Sequence, residues 1–160
     1  MKRRYLIAFF AAAILGTAMH FVYPLLPILP IGMLAPVNES VWEHLKLLYW
    51  PTLAAGFCLS HGKEDKRCAW CGILTAILLM PAVMLGVYYT LLAGFGIHAL
   101  AIDLLLYYLT MAGGFYLAYR MEQNGKMRRL SDFAVIPVGL LGAALALFTA
   151  VPPLLPIFLP

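Results

Sequence analysis

The chain has 160 residues, 64% of them hydrophobic and 11% charged, with a mean hydropathy of +0.90. Soluble domains carry about 25% charged residues, so a water-soluble fold of this size could not hide so much apolar surface. The formal charge of +4 and a pI near 9.1 do not point to nucleic acid, because the basic residues sit in short loops between apolar runs, without interleaved aromatic platforms for stacking bases.

Met1-Lys2-Arg3-Arg4 followed by an apolar run has the form of a signal peptide. It reads as a signal-anchor, the first membrane helix, from Tyr5 to about Tyr23. Further apolar segments run from Ser40 to Leu59, Ala69 to Ala93, Ile97 to Tyr119 and Phe133 to Val151. Each is close to the ~20 residues that cross a bilayer. The expectation is an all-α integral membrane protein, a single polytopic membrane domain over residues 1–160 with about five transmembrane helices.

The connections alternate in character. His61 to Cys68 and Arg120 to Asp132 are charged, and Glu122 and Asp132 read as solvated loop acids. Ala93 to Gly96 is short and neutral, and Pro24 to Pro36 carries no charge until Pro36 itself is passed. With five alternating helices, Lys2, Arg3, Arg4, Lys63, Lys66, Arg67, Arg120, Lys126, Arg128 and Arg129 fall on one side, and only Lys46 falls on the other. Basic loops face the cytoplasm, which sets the N-terminus inside and the C-terminus outside. The two outer segments are proline-rich: Pro24, Pro27, Pro30 and Pro36 after the first span, and Pro152, Pro153, Pro156 and Pro160 after the fifth. Proline breaks helices, so both are expected to form an irregular apolar cover or re-entrant wall. Ala12 with Gly16, Gly139 with Ala143 and Gly142 with Ala146 have helix-packing spacing; packing within one chain and homo-oligomerisation are both open.

This topology turns sequence position into depth. At 1.5 Å per residue, His20 lies roughly 22 Å along the first helix, in the outer part of a core about 30 Å thick. The second helix starts outside near Ser40, so Glu43, His44 and Lys46 lie within about 10 Å of the outer boundary. His98 stands at the mouth of the fourth helix, with Asp103 roughly 10 Å in. Three distant segments therefore deliver His20, Glu39, Glu43, His44, His98 and Asp103 to one layer. Ionisable groups in membrane segments are costly and usually face a partner, a cavity or a substrate path. A helical wheel puts Glu39, Glu43 and Lys46 on one face and His44 about 140° from Glu39. No HExxH is present, so a metal site would be assembled between helices. The structural reading of the same residues is a capping box, Ser40 with Glu43, with Lys46 paired to Glu43 or to Asp103.

Cys68-Ala69-Trp70-Cys71 is a CxxC, with Cys58 at the end of the preceding helix. These thiols face the reducing side, lack an outer partner pair and lie outside any βαβ context, so they read as inert interfacial thiols rather than a redox pair. No Walker A loop, GxSxG elbow or dinucleotide fingerprint is present.

Leu34 to Pro51, LAPVNESVWEHLKLLYWP, resembles a family of small uncharacterised bacterial membrane proteins. In that family an NESVWEHLKL block follows a first helix ending in a His-Phe-x-Tyr pattern, here His20-Phe21-Val22-Tyr23. The resemblance implies a multi-pass protein of the bacterial cytoplasmic membrane. It carries no activity, and it groups His20 with Glu39, Glu43 and His44.

The functional expectation is a polar pocket at the outer face that takes a cation or small polar ligand, as part of a carrier or binding protein. Its candidate ligand-binding residues are Glu43, His44, Asp103, His20, Glu39, His98, Asn38 and Lys46. Imidazole and carboxylate donors suit divalent metals, so a metal is the candidate cofactor, held by His20, Glu43, His44, His98 and Asp103. One alternative is an intramembrane metal-dependent hydrolase or acyltransferase acting on lipid, with Glu43 as general base. Another is a noncatalytic membrane assembly partner. The lipid bilayer is the expected surrounding partner in every case.

Overall fold

The computed structural model describes residues 3–125 and 130–159. The expectations for Met1, Lys2, Lys126, Arg128, Arg129 and Pro160 lie outside those residues. The described residues form seven α-helices and no strand: α1 (Arg3–Met19), α2 (Val22–Leu25), α3 (Leu29–Leu34), α4 (Val41–Ser60), α5 (Lys66–Tyr89), α6 (Leu100–Asn124) and α7 (Leu130–Ala150). A π-helical turn at Thr90–Gly94 continues α5, and a 3-10 turn at Pro156–Phe158 follows α7.

Three helical stretches are long and apolar enough to cross a membrane: Lys66–Gly94, Leu100–Asn124 and Leu130–Ala150. The other two long helices do not reach that standard by length and composition. α1 has 17 residues, and α4 has 20 but carries Glu43, His44 and Lys46 in its first two turns.

The first helix ends earlier than the apolar run suggests. Pro24 cannot donate to the carbonyl of His20, and its ring would strike that carbonyl if the helix ran on. α1 therefore stops at Met19, and His20 sits in the turn before α2. The proline-rich stretch that follows is more regular than expected. Pro30 occupies the first turn of α3, where a missing amide proton leaves nothing unsatisfied.

Contacts at the two ends of the bundle show the long helices alternating in direction. At one end Tyr5 of α1 donates to Glu122 of α6 at 2.5 Å, and Lys63 between α4 and α5 reaches both Glu122 oxygens at 2.6 Å. Arg67 at the start of α5 lies 3.6 Å from Asp132 at the start of α7. Glu122 is thus not the solvated loop acid expected from sequence; it is only 17% exposed and holds three elements together. Asp132 is 54% exposed and matches that expectation better. Every described basic residue except Lys46 belongs to this end, which we call the basic end.

α5 packs against α4, α6 and α7, and α1 lies against α4 and α6. Leu48, Ile73, Ile77, Met111 and Phe115 are buried at the centre. Two glycines admit tyrosines from neighbouring helices: a Cβ on Gly16 would meet the Tyr107 hydroxyl, and one on Gly142 the Tyr49 hydroxyl. Of the small-residue pairs expected to pack helices, those containing Gly16 and Gly142 do so inside the chain, whereas a Cβ on Gly139 would meet nothing within 4 Å. Pro51 leaves the Leu47 carbonyl without its helical donor, and the Tyr107 hydroxyl lies 3.5 Å from that oxygen.

The outward faces are apolar. Ile14, Phe133, Ile136 and Leu140 are all exposed beyond half of their surface. A contiguous apolar exterior of this kind marks a surface that is covered in use, and helices satisfy their backbone groups internally, as hydrocarbon requires.

Candidate metal centre

The end opposite the basic one carries two polar groups, built by different means. The first is a buried knot on α4. Glu43 is 3% exposed and Lys46 fully buried, three residues apart and 2.5 Å from each other. The Lys46 amine also donates to the Gly32 carbonyl of α3 at 2.6 Å and to Thr149 Oγ1 of α7 at 2.5 Å, with the Ala35 carbonyl at 3.5 Å. An ammonium has three protons, and Glu43, Gly32 and Thr149 accept them. Glu43 Oε2 accepts in addition from the Val37 amide at 2.9 Å, and Thr149 Oγ1 lies 3.0 Å from Glu43 Oε1. The knot joins α3, α4, α7 and the loop between α3 and α4.

The capping box forms in half. Ser40 is the N-cap of α4, with extended backbone, and its hydroxyl accepts from the Glu43 amide at 3.4 Å. The reciprocal bond is made by Asn38, whose Oδ1 accepts from the Ser40 amide at 2.9 Å. Glu43 turns to Lys46 instead, because a buried lysine needs a counter-charge more than the Ser40 amide needs a second choice of acceptor. Trp42 packs on Phe148 and Phe158, with ring centroids 5.6 and 4.9 Å away, and this draws the C-terminal proline segment across α4. That segment thus lies against α4, and α3 lies against α7.

The second group is His20, Glu39 and His44. One donor atom from each lies within 4.8 Å of the other two. His20 Nε2 is 3.7 Å from Glu39 Oε1, and His44 Nε2 is 3.5 Å from Glu39 Oε2. Tetrahedral ligands about 2.0–2.2 Å from a zinc ion stand about 3.3–3.6 Å apart, so both separations are close to coordinating edges. His44 Nδ1 lies 2.8 Å from the Ser40 carbonyl. A carbonyl only accepts, so Nδ1 carries the proton and Nε2 presents its lone pair to the cluster. Metal-binding histidines are oriented by such bonds. The two imidazoles are partly exposed and Glu39 is 73% exposed, leaving the outward side of the cluster open.

The helical wheel separated His44 from Glu39 by treating Glu39 as helical. Glu39 precedes the N-cap and lies in the loop, so it folds back over the first turn of α4. His20 arrives from the break that Pro24 imposes on α1.

The remaining sequence candidates lie elsewhere. His98 is exposed before α6. Asp103 sits in the first turn of α6, where a carboxylate favours the positive helix end. Neither makes a side-chain hydrogen bond or ion pair among the described residues. Glu43, Lys46 and Asn38 belong to the knot and the cap rather than to the histidine cluster. Thr149 is not among the sequence candidates, although its position about 24 Å along the fifth segment puts it in the same layer. At the basic end, Cys71 is buried, Cys58 is exposed and the Cys68 thiol faces Asp65 Oδ2 at 3.4 Å. No disulfide joins them.

An all-helical chain with three membrane-length helices and an apolar exterior defines the class. Residues 1–160 match a family of unknown function, DUF6512, and the chain belongs to that family. No curated protein and no solved structure matches it.

Proposed function

We propose that this is a five-span membrane protein that binds a divalent transition-metal cation through His20, Glu39 and His44 at its outer face, as a binding protein or the binding element of a carrier. The N-terminus is cytoplasmic and the C-terminus outside in this reading, because the described basic residues other than Lys46 gather at the opposite end. The resemblance of the NESVWEHLKL block supports placement in a bacterial cytoplasmic membrane. The observation that carries the proposal is the convergence of three donors from the turn after α1, the loop before α4 and α4 itself, with His44 Nδ1 set against the Ser40 carbonyl. Two imidazoles and a carboxylate suit zinc and its neighbours, and the exposed side of the cluster admits ligand exchange, as a carrier needs.

The same donor set with an open position is that of hydrolytic zinc sites, which keeps metal-dependent hydrolysis of lipid as the second reading. The general base that reading assigns to Glu43 is instead buried against Lys46, and this favours binding over hydrolysis. Zinc titration of the purified full chain, followed by calorimetry and elemental analysis, tests the proposal. One zinc per chain is expected, with affinity reduced about 10–100-fold or more in His20→Ala, Glu39→Gln and His44→Ala. Undiminished binding in all three variants would refute it.

A further inference from the structure

At the basic end, α4, α5 and α7 border an open groove of about 480 Å³, within the range of small-molecule sites. Leu53 and Phe57 of α4, Trp70 and Leu74 of α5, and Val135 and Gly139 of α7 line its length. Lys66, Arg67, Ser131 and Asp132 form its mouth. From Lys66 to Leu74, and from Ser131 to Gly139, the walls rise about 12 Å. The slot is open at position 139, where an added Cβ would meet nothing within 4 Å.

The mouth is cationic. Two basic side chains face one carboxylate, and the Arg67–Asp132 separation is 3.6 Å between half-exposed partners, a loose pair of little strength. Lys66 has no ion-pair partner among the described residues. The nearby Asp65 carboxylate does not line the groove; it caps α5 by accepting from the Arg67 amide at 3.2 Å. An apolar slot with a basic rim has the polarity of a phospholipid with its phosphate outermost.

We propose that this groove binds an anionic phospholipid, its phosphate at Lys66 and Arg67 and one acyl chain laid along the slot between α4 and α7. Basic pockets between helices on the cytoplasmic side take anionic headgroups in this way. The inference rests on the membrane placement and is independent of the metal cluster at the other end.

Trp70 in the slot provides the signal. The full chain is reconstituted in phosphatidylcholine nanodiscs, and phosphatidylglycerol with brominated acyl chains is titrated in, with brominated phosphatidylcholine in parallel. The Trp70 contribution is the difference from Trp70→Phe. Brominated phosphatidylglycerol is expected to quench Trp70 at a mole fraction at least threefold lower than brominated phosphatidylcholine. Lys66→Gln with Arg67→Gln should make the two lipids equal. Gly139→Leu places a side chain in the slot, starting from a Cβ that meets nothing within 4 Å, and should abolish the saturable part for both. Equal curves in the parent, a preference that survives loss of both cations, or undiminished quenching in Gly139→Leu would each overturn the proposal.

Discussion

Replacing Lys46 by methionine tests what holds the end that carries the metal centre. Methionine keeps most of the length and the apolar stem but removes the amine. Lys46 is fully buried and Glu43 is 3% exposed, so solvent cannot take over the lost role. Glu43 would keep the Val37 amide and the Thr149 hydroxyl, at 2.9 and 3.0 Å, but lose its only counter-charge within reach among the described residues. Breaking a buried ion pair from one side costs about 3–5 kcal/mol, and that is the expected loss for Lys46→Met. Glu43→Gln should cost a similar amount by stranding the ammonium. The double variant removes both charges, so its loss should fall short of the sum of the singles by a coupling energy of about 0.5–3 kcal/mol. Unfolding of the purified chain by a denaturing detergent, followed by tryptophan fluorescence, measures all three. A loss below about 1 kcal/mol for Lys46→Met, or strict additivity in the double variant, would show that the pair does not act as a buried unit.

Gly16→Leu should destabilise by about 1–3 kcal/mol or more, since its side chain would run into Tyr107 and the Leu47 carbonyl; Gly86→Leu, which faces open space, should unfold like the parent. Glu122→Gln should cost about 1.5–3 kcal/mol in the same assay, because its carboxylate serves both Tyr5 and Lys63 and charged hydrogen bonds are worth that much. Single cysteines placed at Glu39 and His61 in a chain free of native cysteine should label with an impermeant maleimide from opposite sides of a sealed membrane; labelling from one side would refute the five-span topology.

The long helices were legible from their apolar runs. Each of the five predicted segments coincides with one long helix to within a few residues at most ends. Hydrophobic length survives tertiary context well, because nothing else can cover such a run. Ser40 was legible as an N-cap for a local reason, since its hydroxyl needs only the amide three residues on. The His20–Glu39–His44 cluster was half legible. Depth arithmetic put all three residues in one layer, but the helical wheel separated Glu39 from His44 by extending α4 two residues too far, through the N-cap to Glu39. The pairing of Glu122 with Tyr5, 117 residues away, left no local trace, and a loop carboxylate reads as solvated until the packing is known. Thr149 was invisible for a related reason: a hydroxyl in an apolar helix ordinarily bonds to its own backbone, as Thr149 also does to the Leu145 carbonyl.

The knot has a consequence for biogenesis. Glu43 and Lys46 stand one turn apart on the same helix, so their charges cancel as soon as α4 winds, before any other helix is beside it. On the five-span proposal, α4 would therefore enter a bilayer with this pair already neutralised. The amine's further acceptors come later or from elsewhere: Gly32 is 14 residues upstream, and Thr149 is 103 residues downstream, near the end of the final helix. Throughout synthesis of α5 and α6 the pair is neutral yet incompletely hydrogen-bonded, and only arrival of the last helix completes it. A chain cut short of Thr149 would retain most of its apolar mass. It would nonetheless carry a polar defect at a point where the chain with α7 in place has none.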